Sequence, residues 1–145
     1  MNDDRQFCTF LVDGMYFGVD VLKVQEVIRY QDMTRVPLAH AVIRGLINLR
    51  GQIVTAVDLR RRLGLEDRAE GALPMNVVVR TGEGAMSLLV DEIGDVVTVE
   101  PESFERTPET LTGVTRDLLL GVYKLKDRLL LIMDTEKAVG LAAAA

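Results

Sequence analysis

Residues 6–19 read Gln-Phe-Cys-Thr-Phe-Leu-Val-Asp-Gly-Met-Tyr-Phe-Gly-Val, and they contain the clearest signal for β-structure in the chain. Strand-forming residues fill both halves, residues 6–12 and 15–19. Asp13-Gly14 between them is typical of a two-residue turn, because glycine tolerates a positive φ. The stretch therefore predicts a β-hairpin.

The next segment, residues 20–28, changes its pattern. Asp20 is a suitable N-cap, so a short helical turn is expected, followed by a strand over residues 27–30. Thr34-Arg35-Val36-Pro37 predicts a loop, because proline pushes the preceding residue toward an extended conformation.

Residues 41–49 predict a short helix that ends at Gly51. The evidence is the helical spacing of four apolar residues, namely Val42, Ile43, Leu46 and Ile47. A strand is expected over residues 53–59, after which Asp58 can cap a single helical turn that ends at Gly64. The polar residues 66–74 are interpreted as a connecting loop.

The second half predicts a hairpin, further strands and a long polar segment. Residues 101–116 contain two prolines and are interpreted as a surface loop. Residues 135–140 predict a terminal helical turn capped by Asp134 or Thr135. Strands are predicted at residues 76–80, 85–90, 95–100, 118–125 and 128–133.

A weak internal repeat links the two halves. Residues 53–64 and 129–140 each contain a strand, a capping aspartate, one helical turn and a glycine. Residues 19–22 and 90–93 are likewise similar, each just after a hairpin. Chance similarity remains an alternative, but a true repeat means two related β-subdomains. Short strands separated by turns favour a barrel or a sandwich.

Composition restricts the classes of function. The net charge of −5 opposes a nucleic-acid partner, whose binding requires neutralisation of phosphates. No apolar run reaches the roughly 20 residues of a membrane span, and residues 1–5 are polar, so a cytoplasmic location is expected. Cys8 is the single cysteine, interpreted as a small core residue rather than a reactive thiol. The run Arg60-Arg61-Arg62 is interpreted as a solvated, partly salt-bridged surface rather than a nucleic-acid or lipid site.

Candidate catalytic groups are few. His40 is the only histidine, and the two serines, Ser87 and Ser103, lack a nucleophile context. One cysteine and one histidine cannot build a typical zinc site. The adjacent pair Asp91-Glu92 gives no reason from its neighbours for a shifted pKa. We therefore predict no enzyme activity, no cofactor and no metal.

Several motifs together resemble the CheW-like family of chemotaxis coupling proteins. Residues 16–28 read Tyr-Phe-Gly-Val-Asp-Val-Leu-Lys-Val-Gln-Glu-Val-Ile, and residues 44–54 read Arg-Gly-Leu-Ile-Asn-Leu-Arg-Gly-Gln-Ile-Val, followed by Val57-Asp58-Leu59-Arg60. Residues 89–96, Leu-Val-Asp-Glu-Ile-Gly-Asp-Val, match a third family pattern, and the loop over residues 34–37 is similar to a fourth. The resemblance covers nearly the whole chain.

The resemblance implies an all-β fold with a few short helices. Two five-stranded SH3-like β-barrel subdomains are expected side by side around a shared apolar core, within one domain over residues 1–145. Subdomain 1 is expected at about residues 15–75 and subdomain 2 at about residues 76–134, with the N-terminal strand and the C-terminal helix completing the pair. No prediction is based on the Ala-rich residues 142–145.

The resemblance also implies a non-catalytic adaptor that joins two partners. One is the regulatory domain of the histidine kinase CheA, and the other is the helical cytoplasmic tip of a chemoreceptor, held in an apolar groove between the subdomains. The free protein is expected to be a monomer without direct membrane insertion. A related sensory pathway, such as pilus motility or surface sensing, is the alternative. The positions that match receptor-coupling residues are Val24, Glu26, Gly45, Arg50, Ile93 and Val96.

Each of these positions also has a structural interpretation. Val24, Ile93 and Val96 can be core residues, and Gly45 can be a glycine required by close packing. Arg50 can pair with Glu26, or it can meet a polar group of the receptor, and the two roles are compatible. In residues 102–110 only Pro108-Glu109 matches the family well, so the resemblance leaves a further, array-building contact with a neighbouring kinase open.

Overall fold

The computed structural model describes residues 5–143, and it confirms the predicted all-β class. Antiparallel pairing dominates, with two parallel contacts. The strands are β1 (Arg5–Val12), β2 (Met15–Asp20), β3 (Val24–Ile28), β4 (Ile43–Leu49), β5 (Gln52–Asp58), β6 (Met75–Thr81), β7 (Gly84–Val90), β8 (Glu92–Val99), β9 (Phe104–Glu105), β10 (Leu119–Lys124) and β11 (Leu129–Met133).

Three short helices accompany the strands: α1 (Leu59–Arg62), α2 (Gly113–Asp117) and α3 (Thr135–Ala143). Two 3₁₀ turns lie at Val21–Lys23 and Pro101–Ser103. Within residues 5–143, no helix is both long and apolar enough to cross a membrane.

The first hairpin has the turn that its sequence predicts. Asp13 and Gly14 both have a positive φ, 51° and 77°, and Val12 pairs with Met15 across them. Two consecutive residues with positive φ match the right-handed twist of the flanking strands. The predicted N-cap is also present, since the Asp20 carboxylate accepts from the Leu22 N–H at 2.9 Å.

The strands form two sheets that exchange one strand each. The first sheet has the order β8-β1-β2-β11-β10-β9, and the second has the order β3-β6-β7-β5-β4. β3 follows the β1–β2 hairpin in sequence but pairs with β6, whereas β8 follows the β6–β7 hairpin but pairs with β1. Each half of the chain therefore completes the sheet of the other half.

The predicted repeat has a structural counterpart. β5 leads into α1 and β11 leads into α3, and each of these strands makes a parallel contact with the second strand of a hairpin, β7 or β2. Asp58 caps α1 by accepting from the Arg60 N–H at 3.0 Å. Asp134 rather than Thr135 caps α3, accepting from the Lys137 N–H at 3.2 Å.

The prediction of a helix over residues 41–49 is wrong. Ile43–Leu49 is strand β4, which pairs antiparallel with β5. The register shifts between Ile43 and Gly45, so the alternation of buried and more exposed residues is regular only from Arg44 to Leu49. Pairing with β5 overrides the helical spacing of the apolar residues, as tertiary context commonly does.

Three other element boundaries differ from expectation. β3 begins at Val24 rather than at residue 27, directly after the 3₁₀ turn. β8 begins at Glu92, three residues earlier than predicted. The segment over residues 101–116, expected to be a loop, contains a 3₁₀ turn, β9 and most of α2, and β9 adds a sixth strand to the first sheet.

One apolar core joins the two sheets. Its fully buried members include Phe10 and Phe17 from the first sheet and Val57 and Leu88 from the second. A smaller cluster around Leu130 belongs to the first sheet, and another around Val54 belongs to the second. The shared core explains why the two halves fold against each other rather than as separate units.

The division between the sheets does not coincide with the expected subdomain boundary near residue 75. The β6–β7 hairpin, over residues 75–90, lies between β3 and β5 in the second sheet. β1, β2 and β8–β11 make up the first sheet. The division into subdomains at residues 15–75 and 76–134 stays a prediction. The chain passes from one sheet to the other at residues 20–24 and 90–92.

Candidate partner-binding site

The turn between β4 and β5 is formed by Arg50 and Gly51, whose φ angles of 51° and 90° both lie in the left-handed region. Leu49 pairs with Gln52 across this two-residue loop. The Asn48 side chain supports it, because its Oδ1 accepts from the Gly51 N–H at 2.8 Å. The turn therefore holds the Arg50 backbone at the exposed end of the hairpin.

Arg50 reaches from this turn to β3. Its Nη2 donates to Oε2 of Glu26 in an ion pair. The Glu26 side chain is only 19% exposed, whereas that of Arg50 is 72% exposed. Beside this pair, the Gln25 amide donates to the Gln52 side-chain oxygen at 3.4 Å. Two predicted site residues are therefore in contact, and most of the Arg50 side chain remains available to a partner.

Gly45 is buried in β4, next to the segment that includes Thr34. Thr34 and Leu46 exchange two backbone hydrogen bonds of 2.8 Å. A Cβ atom at Gly45 would lie 2.7 Å from the Thr34 carbonyl oxygen and 3.0 Å from Cβ of Met33. The close approach of these two segments therefore requires glycine, in agreement with the packing interpretation, and a role in partner binding stays a prediction.

Ile93 and Val96 lie on β8, at the edge of the first sheet. Ile93 is half-buried and packs against the main core, as does Val24 on β3. Val96 is 56% exposed and lies opposite Cys8 of β1. The six predicted residues therefore differ in accessibility: Arg50 and Val96 are exposed, Val24, Glu26 and Ile93 are half-buried, and Gly45 is buried.

Cys8 is half-buried rather than fully buried. Burial, and to a smaller extent the negative charge of Asp20, raises the pKa of its thiol above the usual value. The thiol therefore stays protonated at neutral pH, as expected for a structural cysteine.

A cluster of charged residues that sequence analysis missed lies where the chain crosses between the sheets. Arg68 Nη1 donates to both carboxylate oxygens of Asp58, at 2.9 and 3.0 Å, and its Nε lies 3.0 Å from Asp91. Arg60 binds the Asp91 carboxylate with two bonds of 2.9 and 2.7 Å. The Asp58 side chain is 0% exposed and that of Arg68 is 7% exposed. We call Asp58, Arg60, Arg68 and Asp91 the ionic junction.

The ionic junction connects the first hairpin to the second sheet. The Asp13 backbone N–H donates to Asp91 Oδ2 at 2.7 Å. Partial burial alone would raise the pKa of Asp91, but the hydrogen bonds from Arg60 and from Asp13, together with the positive charge of Arg68, lower that pKa below its usual value. The expectation of an unshifted carboxylate at this position is therefore wrong.

The arginine run is partly salt-bridged, as predicted, but its three residues are half-buried rather than fully solvated. Arg60 joins the ionic junction, and Arg61 pairs with Asp67 at 3.2 Å. Arg62 donates to the backbone carbonyls of Lys137 and Ala138 in α3, at 3.0 and 3.2 Å. Each arginine therefore attaches α1 to a different part of the fold, and the only sequence signal for this was the high local density of arginine.

The model of the CheW-like domain family matches residues 6–142 of this chain. The chain belongs to the CheW-like family. It is 30% identical to the chemotaxis protein CheW of Klebsiella aerogenes over 133 residues, covering 92% of this chain and 80% of that protein. The chemotaxis protein CheW of Bacillus subtilis is 32% identical over 130 residues, covering 90% and 83%.

Solved structures agree with this assignment. The scaffolding protein TtCheW from Thermoanaerobacter tengcongensis superposes with a TM-score of 0.81 at 26% identity, covering 90% of this chain and 88% of that chain. The two sheets and their shared core are therefore the CheW fold, with which the predicted SH3-like barrels are consistent. This CheW-like chain is a coupling adaptor of chemotaxis.

Proposed function

We propose that this chain joins the regulatory domain of a CheA-type histidine kinase to the cytoplasmic tip of a chemoreceptor, by protein–protein contacts alone. The observation that carries the proposal is the superposition on a scaffolding CheW over 90% of the chain. The protein acts in the cytoplasm, uses no cofactor, catalyses no reaction and is a monomer when free.

The receptor-facing surface consists of residues from both sheets. Arg50 supplies an exposed, oriented guanidinium, and Val96 supplies an exposed apolar contact. Glu26 orients Arg50, while Val24 and Ile93 add half-buried apolar side chains that pack against the main core. In this proposal one receptor helix lies in an apolar groove, with its polar groups directed at the planar fork of Arg50. Gly45 contributes by allowing the close approach of Thr34 to β4.

Binding to the kinase is the first test. Titration calorimetry of this chain against the isolated regulatory domain of a cognate CheA-type kinase, at physiological salt, is expected to show one-to-one binding with a Kd on the order of micromolar or tighter. A well-folded sample that shows no binding would contradict the proposed kinase contact, whatever the receptor result.

Arg50→Glu is expected to weaken receptor binding about tenfold or more, while the protein stays folded. The substitution removes the exposed guanidinium and places a second carboxylate next to Glu26. Stability should change by no more than about 1 kcal/mol, because an exposed ion pair contributes little. Binding to a receptor-tip fragment and the thermal midpoint are measured together, with the exposed Arg29→Glu as the matched control. If Arg50→Glu unfolds the protein, Arg50 is structural and this part of the proposal fails.

A further inference from the structure

A basic depression of about 590 Å³ lies at the opposite end of β4 from Arg50. Arg44 and Arg50 are six residues apart, which corresponds to roughly 20 Å along a strand. Although the chain has a net charge of −5, none of the residues lining this depression is acidic. We call it the basic surface, and its lining consists of residues 35–41 together with Ile43, Arg44 and Arg61.

Two arginines of the basic surface are oriented by hydrogen bonds and ion pairs within the protein. Arg44 donates to the buried Asp58 at 3.3 Å. Arg61 pairs with Asp67 and also donates to the Ala41 carbonyl oxygen at 3.0 Å, which attaches the loop to α1. Asp58 is already shared with Arg68, so it neutralises Arg44 only in part. The side chains of Arg44 and Arg61 are each 34% exposed and can meet a ligand.

A third arginine adds an uncompensated charge. Arg35 is exposed, and it makes no ion pair with any residue between 5 and 143. The excess of positive charge also affects the neighbouring carboxylate of Asp67. The pKa of Asp67 is lowered by the hydrogen bond and the charge of Arg61, and further by the charges of Arg44 and Arg68. Three arginines therefore meet only two carboxylates here, Asp58 and Asp67, and Asp58 is shared with Arg68, so the basic surface carries an excess of positive charge.

Leu38 gives this surface an unusual apolar feature. Its side chain is fully exposed, and its φ of 64° lies in the left-handed region. Leucine rarely adopts this conformation, which is normally left to glycine, asparagine or aspartate. Residues that retain such strain without a packing reason are concentrated at functional sites. The backbone bond from the Ile43 N–H to the His40 carbonyl oxygen, at 2.9 Å, helps to maintain the loop that displays Leu38.

We propose that the basic surface docks an acidic segment of a partner protein. Its carboxylates would pair with Arg35, Arg44 and Arg61, whose planar forks suit carboxylate oxygens. Apolar side chains next to those carboxylates would cover Leu38. A negatively charged membrane fits less well, because the site is concave, offers one apolar anchor and belongs to a chain of net charge −5. The inference goes beyond the proposed receptor contact, since the basic surface lies at the opposite end of β4 from Arg50.

The test uses the full chain and defined peptides. The probe is a 12-residue peptide of glutamate and aspartate with three leucines, and its control replaces the leucines with serine. Titration followed by ¹H–¹⁵N NMR at physiological salt should move the amide signals of residues 35–36, 38–41, Arg44 and Arg61. The serine peptide should bind several-fold more weakly.

Two variants distinguish docking from unspecific charge attraction. Arg35→Gln should weaken binding of the leucine peptide about 1.5- to 5-fold, as expected for one lost exposed charge contact. Leu38→Gly should weaken binding by a similar factor without lowering the thermal midpoint, because glycine accepts the positive φ. Arg29→Gln and Leu73→Ala are matched controls at exposed positions elsewhere, and neither should change the affinity.

Three outcomes would overturn the inference. One is equal binding of the leucine and serine peptides, with shifts spread over all basic residues. Another is unchanged affinity in Leu38→Gly. The third is that the wild-type chain binds no peptide but sediments with vesicles of phosphatidylcholine and phosphatidylserine, whereas Leu38→Gly does not sediment. That result would assign the surface to lipid binding.

Discussion

Replacing Arg68 with leucine is expected to lower the free energy of unfolding by about 3–5 kcal/mol. Arg68 binds both oxygens of Asp58, a carboxylate with no exposed side-chain area, and its Nε lies 3.0 Å from Asp91. Without Arg68, Asp58 would keep only the longer contact from Arg44 and its capping bond to α1. A buried charge that loses its main partner costs far more than the intact pair contributes.

Urea unfolding at 25 °C measures this effect, and Arg61→Leu is the matched control. Arg61 also pairs with an aspartate, but Asp67 is 59% exposed, so the loss should be much smaller than that of Arg68→Leu. If Arg68→Leu lowers the free energy of unfolding by a similarly small amount, Arg44 and solvent are sufficient to stabilise the Asp58 carboxylate. The ionic junction would then not be a major source of stability.

The ionic junction illustrates what could not be predicted from the sequence. The bond from the Asp13 backbone to Asp91 joins residues 78 positions apart, and the pair Arg60–Asp91 joins residues 31 apart. No local pattern specifies such contacts. They depend on the exchange of β3 and β8 between the sheets, which brings the end of β7 next to the first hairpin. Arg68 itself lies in a segment whose composition indicates only a loop.

Local signals, in contrast, predicted the turns and caps well. Asp13-Gly14 forms the expected hairpin turn, and Asp20 and Asp58 cap the helical turns that follow them. These features depend on the backbone preferences of one or two residues, so tertiary packing does not need to be known. The prediction for β4 was wrong because the strand starts with a register shift, between Ile43 and Gly45, and carries an apolar residue, Leu46, on its more exposed face. Together these give the apolar residues a spacing that imitates a helix.

The candidate site was predictable as a set of positions but not as a surface. Motif resemblance indicated Arg50 and Glu26, and the structure confirms their pairing. The accessibility of each residue could not be predicted, because it depends on how edge strands meet other segments. Val96 is exposed on β8, whereas Gly45 on β4 is covered by the Thr34 backbone. Mutational effects at the six positions should therefore have different physical causes.

Gly45→Ala is expected to destabilise the protein by about 1–3 kcal/mol, the usual cost of overpacking. The added methyl group would lie 2.7 Å from the Thr34 carbonyl oxygen, which is already bonded to the Leu46 N–H at 2.8 Å. Relief requires the Thr34 segment to move away and weakens both backbone bonds of this bridge. Gly82→Ala is the matched control: its Cβ would have only the Glu136 carboxylate within 4 Å, at 3.6 Å, so its stability should stay within about 0.5 kcal/mol of wild type.

Urea unfolding and binding to a receptor-tip fragment, measured on the same Gly45→Ala sample, separate two roles of this glycine. If Gly45 acts through packing, the free energy of unfolding falls. The affinity of the folded protein for the receptor-tip fragment then decreases by a smaller factor than in Arg50→Glu. Unchanged stability with a large loss of affinity would instead mean that the receptor approaches the Gly45 backbone directly. That outcome would require the Thr34 segment to leave β4 on binding, because Thr34 covers Gly45 in the free protein.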